Sequence, residues 1–174
     1  MKKEYLINQN TIAIVPEKVN KVWISRVIET DGEYLVEQHP KYIINQNCWY
    51  SGTSLQGSQE STKVITGITH KQPIVINLAE ELFFFPTMSP RKMECMWICP
   101  DHIIDSKANE YGDTIAYLSN NKTLQIPMSL KSFKTQILRT SHLRFKLRQK
   151  QQLINVAERP FFFYTSSAQR IKKK

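Results

Sequence analysis

Two stretches of this chain, Pro73-Ile74-Val75-Ile76 and Leu82-Phe83-Phe84-Phe85, are apolar at every position. A strand with one wet face alternates apolar and polar residues; one that does not alternate has both faces in the core. More strand-like segments surround this pair. Thr11 to Val15 is a short β-rich run closed by Pro16. Val22 to Glu29 and Tyr34 to Glu37 flank Asp31-Gly32, a dipeptide suited to a tight hairpin turn. Val64, Thr66 and Ile68 alternate with their neighbours as strand residues do. Thr114 to Leu118 and Thr123 to Ile126 form a hairpin across Asn120-Asn121, residue types that tolerate left-handed angles.

Helices are fewer. Pro40 opens one through Trp49, with Gly52 just past its end. Ser129 is a good N-cap for a second, from Leu130 to about Leu147. Its apolar stripe reads Leu130, Phe133, Ile137, Leu138 and Phe145, while Lys131, Arg139, Lys146 and Lys150 crowd a sector about 100° wide on another side. Arg144 and Arg148 fall back toward the apolar side. The stretch Ser51 to Thr62 is of low complexity and reads as a loop. The expected fold is α+β: mainly antiparallel β-sheet, with a short helix in the N-terminal half and a longer C-terminal helix packed on the sheet. The expected division is a domain over residues 1–150 and a basic tail over 151–174.

Charge is strongly segregated. Residues 1–110 carry 11 Lys+Arg and 13 Asp+Glu, a net of −2; residues 111–174 carry 13 Lys+Arg against only Asp113 and Glu158, a net of +11. A lopsided positive field suits a polyanion, and nucleic acid is the commonest inside a cell. The alternative is a solvated basic face that serves solubility. No apolar run approaches the ~20 residues a bilayer demands, and Glu4, Asn8 and Gln9 stand where a signal peptide would be apolar. The expectation is a cytoplasmic protein with reduced thiols and no membrane partner.

Catalytic and metal signatures are thin. Cys95-x3-Cys99-x2-His102 has a hint of ligand spacing, but the second pair that tetrahedral zinc needs is missing. The residues between these cysteines, Met96-Trp97-Ile98, read as buried strand. Nothing couples His70 or His102 to Cys48, as a cysteine nucleophile requires. With five glycines the chain has little material for phosphate-cradling loops. No metal, no cofactor, no catalytic residue and no enzyme are expected. Phe83 to Phe85 lack basic neighbours and read as core rather than as a base-stacking platform; Phe161 to Phe163 lie in the basic tail.

Thr69-His70-Lys71-Gln72-Pro73-Ile74, Leu82 to Ser89 (LFFFPTMS) and Trp97-Ile98 resemble the middle of the ComK competence transcription factor family. Leu118-Ser119-Asn120-Asn121-Lys122-Thr123, Ile126-Pro127-Met128-Ser129, Ser132-Phe133 and Gln136 to Arg144 (QILRTSHLR) are similar to its hairpin-then-helix end, and Thr11 to Glu17 (TIAIVPE) to its opening strand. The similarity runs over roughly residues 5–150. It implies an activator of DNA-uptake genes that binds AT-rich duplex boxes largely through the minor groove. It further implies a homodimer that associates in pairs and meets RNA polymerase. A-tracts fit the charge, since their narrow minor groove concentrates negative potential and draws in Arg and Lys. Relatives carry a tail peptide recognised by the adaptor of a Clp protease; here Phe161-Phe162-Phe163-Tyr164-Thr165 stands in its place without the proline.

The residues expected to meet DNA are Lys71, Lys122, Arg139, Lys146 and Lys150 as cationic contacts, and Asn120 and Asn121 reaching groove edges from the hairpin tip. Two other readings use the same charge. One is an RNA or single-strand binding module. The other is a shortened, non-activating interaction protein, because relatives continue into a further helix where this chain ends in a Lys run.

Overall fold

The computed structural model of the chain describes residues 1–157; the expectations for Phe161–Thr165 and for the terminal Lys run lie outside the described residues. Nine strands and three helices follow in the order β1 (Thr11–Val19), β2 (Val22–Glu29), β3 (Glu33–Val36), α1 (Pro40–Tyr50), α2 (Leu55–Thr66), β4 (Ile74–Asn77), β5 (Leu82–Pro86), β6 (Trp97–Ile98), β7 (Ile103–Ala108), β8 (Thr114–Leu118), β9 (Thr123–Ile126) and α3 (Leu130–Ala157). The fold is α+β and mainly antiparallel. A six-stranded sheet has the order β3-β2-β1-β6-β5-β4, and a three-stranded sheet the order β7-β8-β9.

Layering explains the uninterrupted apolar runs. One core joins Ile14, Val27, Trp97 and Phe84 of the large sheet to Ile43, Ile44 and Cys48 of α1 and Leu55 of α2. The other joins Ala13, Ile28, Ile98 and Phe85 to Ala116, Leu118, Leu124 and Ile126 of the small sheet and to Phe133 of α3. The large sheet is thus covered by helices on one face and by the small sheet with α3 on the other. Phe84 and Phe85, adjacent in β5, serve opposite layers because successive side chains of a strand point to opposite faces.

The local rules hold with instructive exceptions. β1 continues through Pro16 to Val19, since β6 covers it only at Ala13 and Ile14 and the proline needs no ladder partner on that side. The β1–β2 turn is made by Asn20 and Lys21, both at positive φ, 48° and 67°. Most of the stretch read as a loop from Ser51 to Thr62, from Leu55 on, and the start of the strand-like alternation, Val64 to Thr66, are in fact one helix, α2; Ser51 to Ser54 remain a turn between the helices. Ser54 caps it by accepting from Gly57 N–H at 2.9 Å, and Gly67 ends it at φ 76°. Polar residues hide it from pattern reading, because its sheet-facing side docks through hydroxyls: Ser58 Oγ donates to Val75 O at 3.2 Å and Thr62 Oγ1 to Pro73 O at 2.8 Å.

Helix α3 starts where expected, with Ser129 Oγ accepting from Ser132 N–H at 3.3 Å, and runs ten residues beyond Leu147. Its docked face is Phe133, Gln136, Thr140 and Leu143, all buried. Leu138 and Phe145, placed in the stripe by sequence, stand 70% and 56% exposed. Two polar residues take the centre of the buried side, so counting apolar residues alone rotates the predicted face.

Candidate nucleic-acid interface

The buried Gln136 organises the surface above it. Its amide Nε2 donates to Lys71 O and to Pro86 O, each at 2.9 Å, and Thr140 Oγ1 donates to Gln136 O at 2.8 Å. The two Nε2 bonds tie the turn before β4 and the end of β5 to the first half of α3, with Lys71 at φ 48°. Arg139 Nη1 completes the seam by donating to His70 O and to Gln136 Oε1, both at 3.3 Å. The result is a cleft of about 310 Å³ lined by His70, Lys71, Met128, Lys131, Ser132, Thr135, Gln136 and Arg139. Three cations and two hydroxyls face it, and no carboxylate does. That donor set matches phosphate oxygens.

The cationic line continues along the helix. At ~100° per residue, Lys146 and Lys150 fall within about 20° of Arg139. Lys146 is half-buried and Lys150 exposed. Among the described residues, no carboxylate lies within ion-pair distance of Lys71, Lys131, Lys134, Arg139, Lys146 or Lys150.

Arg144 and Arg148 serve the fold instead. Arg144 makes a two-pronged contact with Asp101 at 2.7 and 2.5 Å, and lies 4.8 Å from the centre of the Phe83 ring. The Asp101 carboxylate raises the Arg144 pKa further. Arg148 grips Glu81 in the same manner at 2.7 and 2.5 Å. These forks hold the middle of α3 to the segment after β6 and to the turn between β4 and β5.

The hairpin tip forms a second cluster, apart from the cleft. Asn120 Nδ2 donates to Glu29 O at 3.0 Å, its Oδ1 accepts from Lys122 N–H at 3.1 Å, and Lys122 Nζ reaches Glu33 Oε1 at 2.9 Å. Lys122, with Arg26, holds the Glu33 carboxyl below its ordinary range. Asn121 sits at φ 62° and is exposed. The tip and Met128 lie at opposite ends of β9, roughly 20 Å apart at strand rise. The structure therefore brings Lys71 and Arg139 together and lines Lys146 and Lys150 up behind them. It sets Asn120 and Lys122 against the β2–β3 hairpin and leaves Asn121 exposed at the tip. His70, Ser132 and Thr135 complete the cleft without a signal of their own in the sequence. Lys131 had one, as a member of the cationic sector.

The cysteines and His102 stand apart from this surface. Cys48, Cys95 and Cys99 are free and buried, and burial pushes their pKa up to about 12, 11 and 12. His102 is bonded on both ring nitrogens, to Ser119 Oγ at 2.9 Å and Gln9 O at 2.8 Å. The described residues hold no cluster of three metal-ligating side chains, and none of their helices is long and apolar enough to cross a membrane. Phe83, Phe84 and Phe85 are all buried, as core.

The family model described as ComK protein matches residues 2–152. The competence transcription factor of Bacillus subtilis (strain 168) is 36% identical over 148 residues, which cover 85% of this chain and 77% of that protein. No solved structure matches. The likeness defines a DNA-binding regulator of transcription, which is not an enzyme class. More narrowly, the chain belongs to the ComK family of competence transcription factors.

Proposed function

We propose that the protein binds AT-rich double-stranded DNA largely through the minor groove, as a homodimer, and activates genes for DNA uptake through contact with RNA polymerase in the cytoplasm. The observation that carries this reading is the carboxylate-free cleft of Lys71, Lys131 and Arg139, continued by Lys146 and Lys150. Cations without a carboxylate partner, with the Lys71 backbone held by Gln136, are open to phosphates, and each phosphate neutralised releases counterions. Asn120, Asn121 and Lys122 are a second contact in this proposal. There a phosphate must replace Glu33 at the Lys122 ammonium.

Fluorescence anisotropy on AT-box duplexes across a salt series is the test. With roughly six phosphates neutralised per bound unit, log K falls against log salt with a slope of about −5. Lys146→Ala lowers that slope by about 1 and leaves the preferred sequence unchanged. Tighter binding to single strands of equal sequence overturns the duplex reading in favour of a single-strand or RNA module. No binding at any soluble concentration favours a non-activating interaction protein.

A further inference from the structure

Strand β7, at one edge of the small sheet, has no neighbour on its far side among the described residues. Ile103, at the start of β7, packs against the same core as Ile137 of α3. Beyond that point the strand leaves the body: Ile104 is 70% exposed, and Asp105, Lys107 and Ala108 are exposed. An open edge of this length invites another strand unless charge or shape forbids it. In the single chain Asp105 Oδ1 lies 2.7 Å from the Ser106 N–H, a local substitute for a strand partner. Lys107 Nζ lies 5.3 Å from the centre of the Tyr117 ring, and Tyr117 is the cross-strand neighbour of Asp105. Asp105 and Lys107 thus share the outer face of the sheet.

We infer that β7 pairs antiparallel with β7 of a second copy, on a two-fold axis through Ser106. That register sets Asp105 opposite the partner's Lys107 and Lys107 opposite the partner's Asp105, with Ile104 opposite the partner's Ala108. Directly opposed unlike charges favour a cross-strand pair, and like charges oppose one. The neighbouring registers are self-defeating. Centring on Asp105 opposes two carboxylates, and centring on Lys107 opposes two ammonium groups. The edge is therefore complementary to itself in one register. Such an interface closes at two copies instead of growing into a fibre. The two small sheets then form one continuous six-stranded sheet across the axis. The inference rests on the homodimer of the proposed function and names its interface, which would present two cationic faces to paired boxes.

Charge exchange tests it on the full chain. Sedimentation velocity without DNA is run on the parent, on Asp105→Lys, on Lys107→Asp and on the double exchange. The parent dimerises. Each single variant weakens the dimer at least tenfold, because it sets like charges opposite one another twice. The double exchange restores association. So does mixing the two single variants, since one copy then offers lysine at both positions and the other aspartate at both. Circular dichroism confirms that each variant is folded, and the recovery on mixing cannot come from misfolded chains. A monomeric parent, single variants that dimerise like the parent, or a mixture that fails to associate each overturns the inference. Binding to a duplex with one box is measured in parallel. Lost association with single-box binding retained supports the β7 interface. Single-box binding lost while association stays normal overturns that interface and makes the strand a DNA contact instead.

Discussion

Gln136 illustrates how one buried polar side chain positions a surface. Its amide satisfies two carbonyls distant in sequence, one in the turn before β4 and one at the end of β5, and its side-chain oxygen receives Arg139. Gln136→Ala leaves Lys71 O and Pro86 O without this donor. A loss of about 1–3 kcal/mol in urea unfolding is expected, the cost of unsatisfied buried acceptors. The variant also shallows the salt slope of DNA binding, because Lys71 is no longer held. Arg139→Ala shallows that slope by about 1 with a smaller effect on stability. Sequence reading placed Arg139 by a helical wheel and named Lys71 within the stretch that carries the family resemblance. It could not find their meeting, because a mid-helix glutamine carries no mark of the two carbonyls it satisfies. It also could not see that Lys122 faces Glu33, a residue of another hairpin. Spacing within one segment reports neighbours along that segment only.

At the level of elements, most strands and the positions of α1 and α3 were legible from local patterns, whereas β7 was not read at all and the stripe read for α3 put Leu138 and Phe145 on the wrong side. The hairpin at Asn120-Asn121, the cap at Ser129 and the doubly buried β5 follow from a few residues each. α2 was not legible, since hydroxyl groups make its contact with β4. Its signals were the caps, Ser54 and Gly67. Thr62→Val keeps the volume and removes the donor to Pro73 O, and a cost of about 1–3 kcal/mol is expected in urea unfolding. The orientation of α3 is checked the same way. Phe133 is fully buried, so Phe133→Ala costs about 3–5 kcal/mol. Leu138 is largely exposed, so Leu138→Ala changes stability by no more than about 0.5 kcal/mol. Equal effects at the two positions contradict the rotation of the helix described above.

For the whole molecule, acid and alkali act on different parts. Glu33 has its pKa held down by Lys122 and Arg26. Its contribution to stability is present above the ordinary value of 4.5 and is lost as pH falls below it. The buried thiols act in the opposite sense. Their pKa values are raised from 9.0 to about 12, 11 and 12, so the unfolded chain releases protons that the folded chain keeps. Stability is full below pH 9 and falls as pH rises through that window. Buried Tyr5, hydrogen-bonded to Glu29 and likewise raised, adds to the fall. A melting-temperature profile that stays level from pH 8 to about pH 11 contradicts this assignment.

Burial of all three cysteines in the helix-covered core has a practical consequence. An alkylating reagent reaches them only while the core around them opens, so the rate of modification counts how often that happens. The chain carries its own clock for breathing motions, with no dye attached and no cysteine introduced.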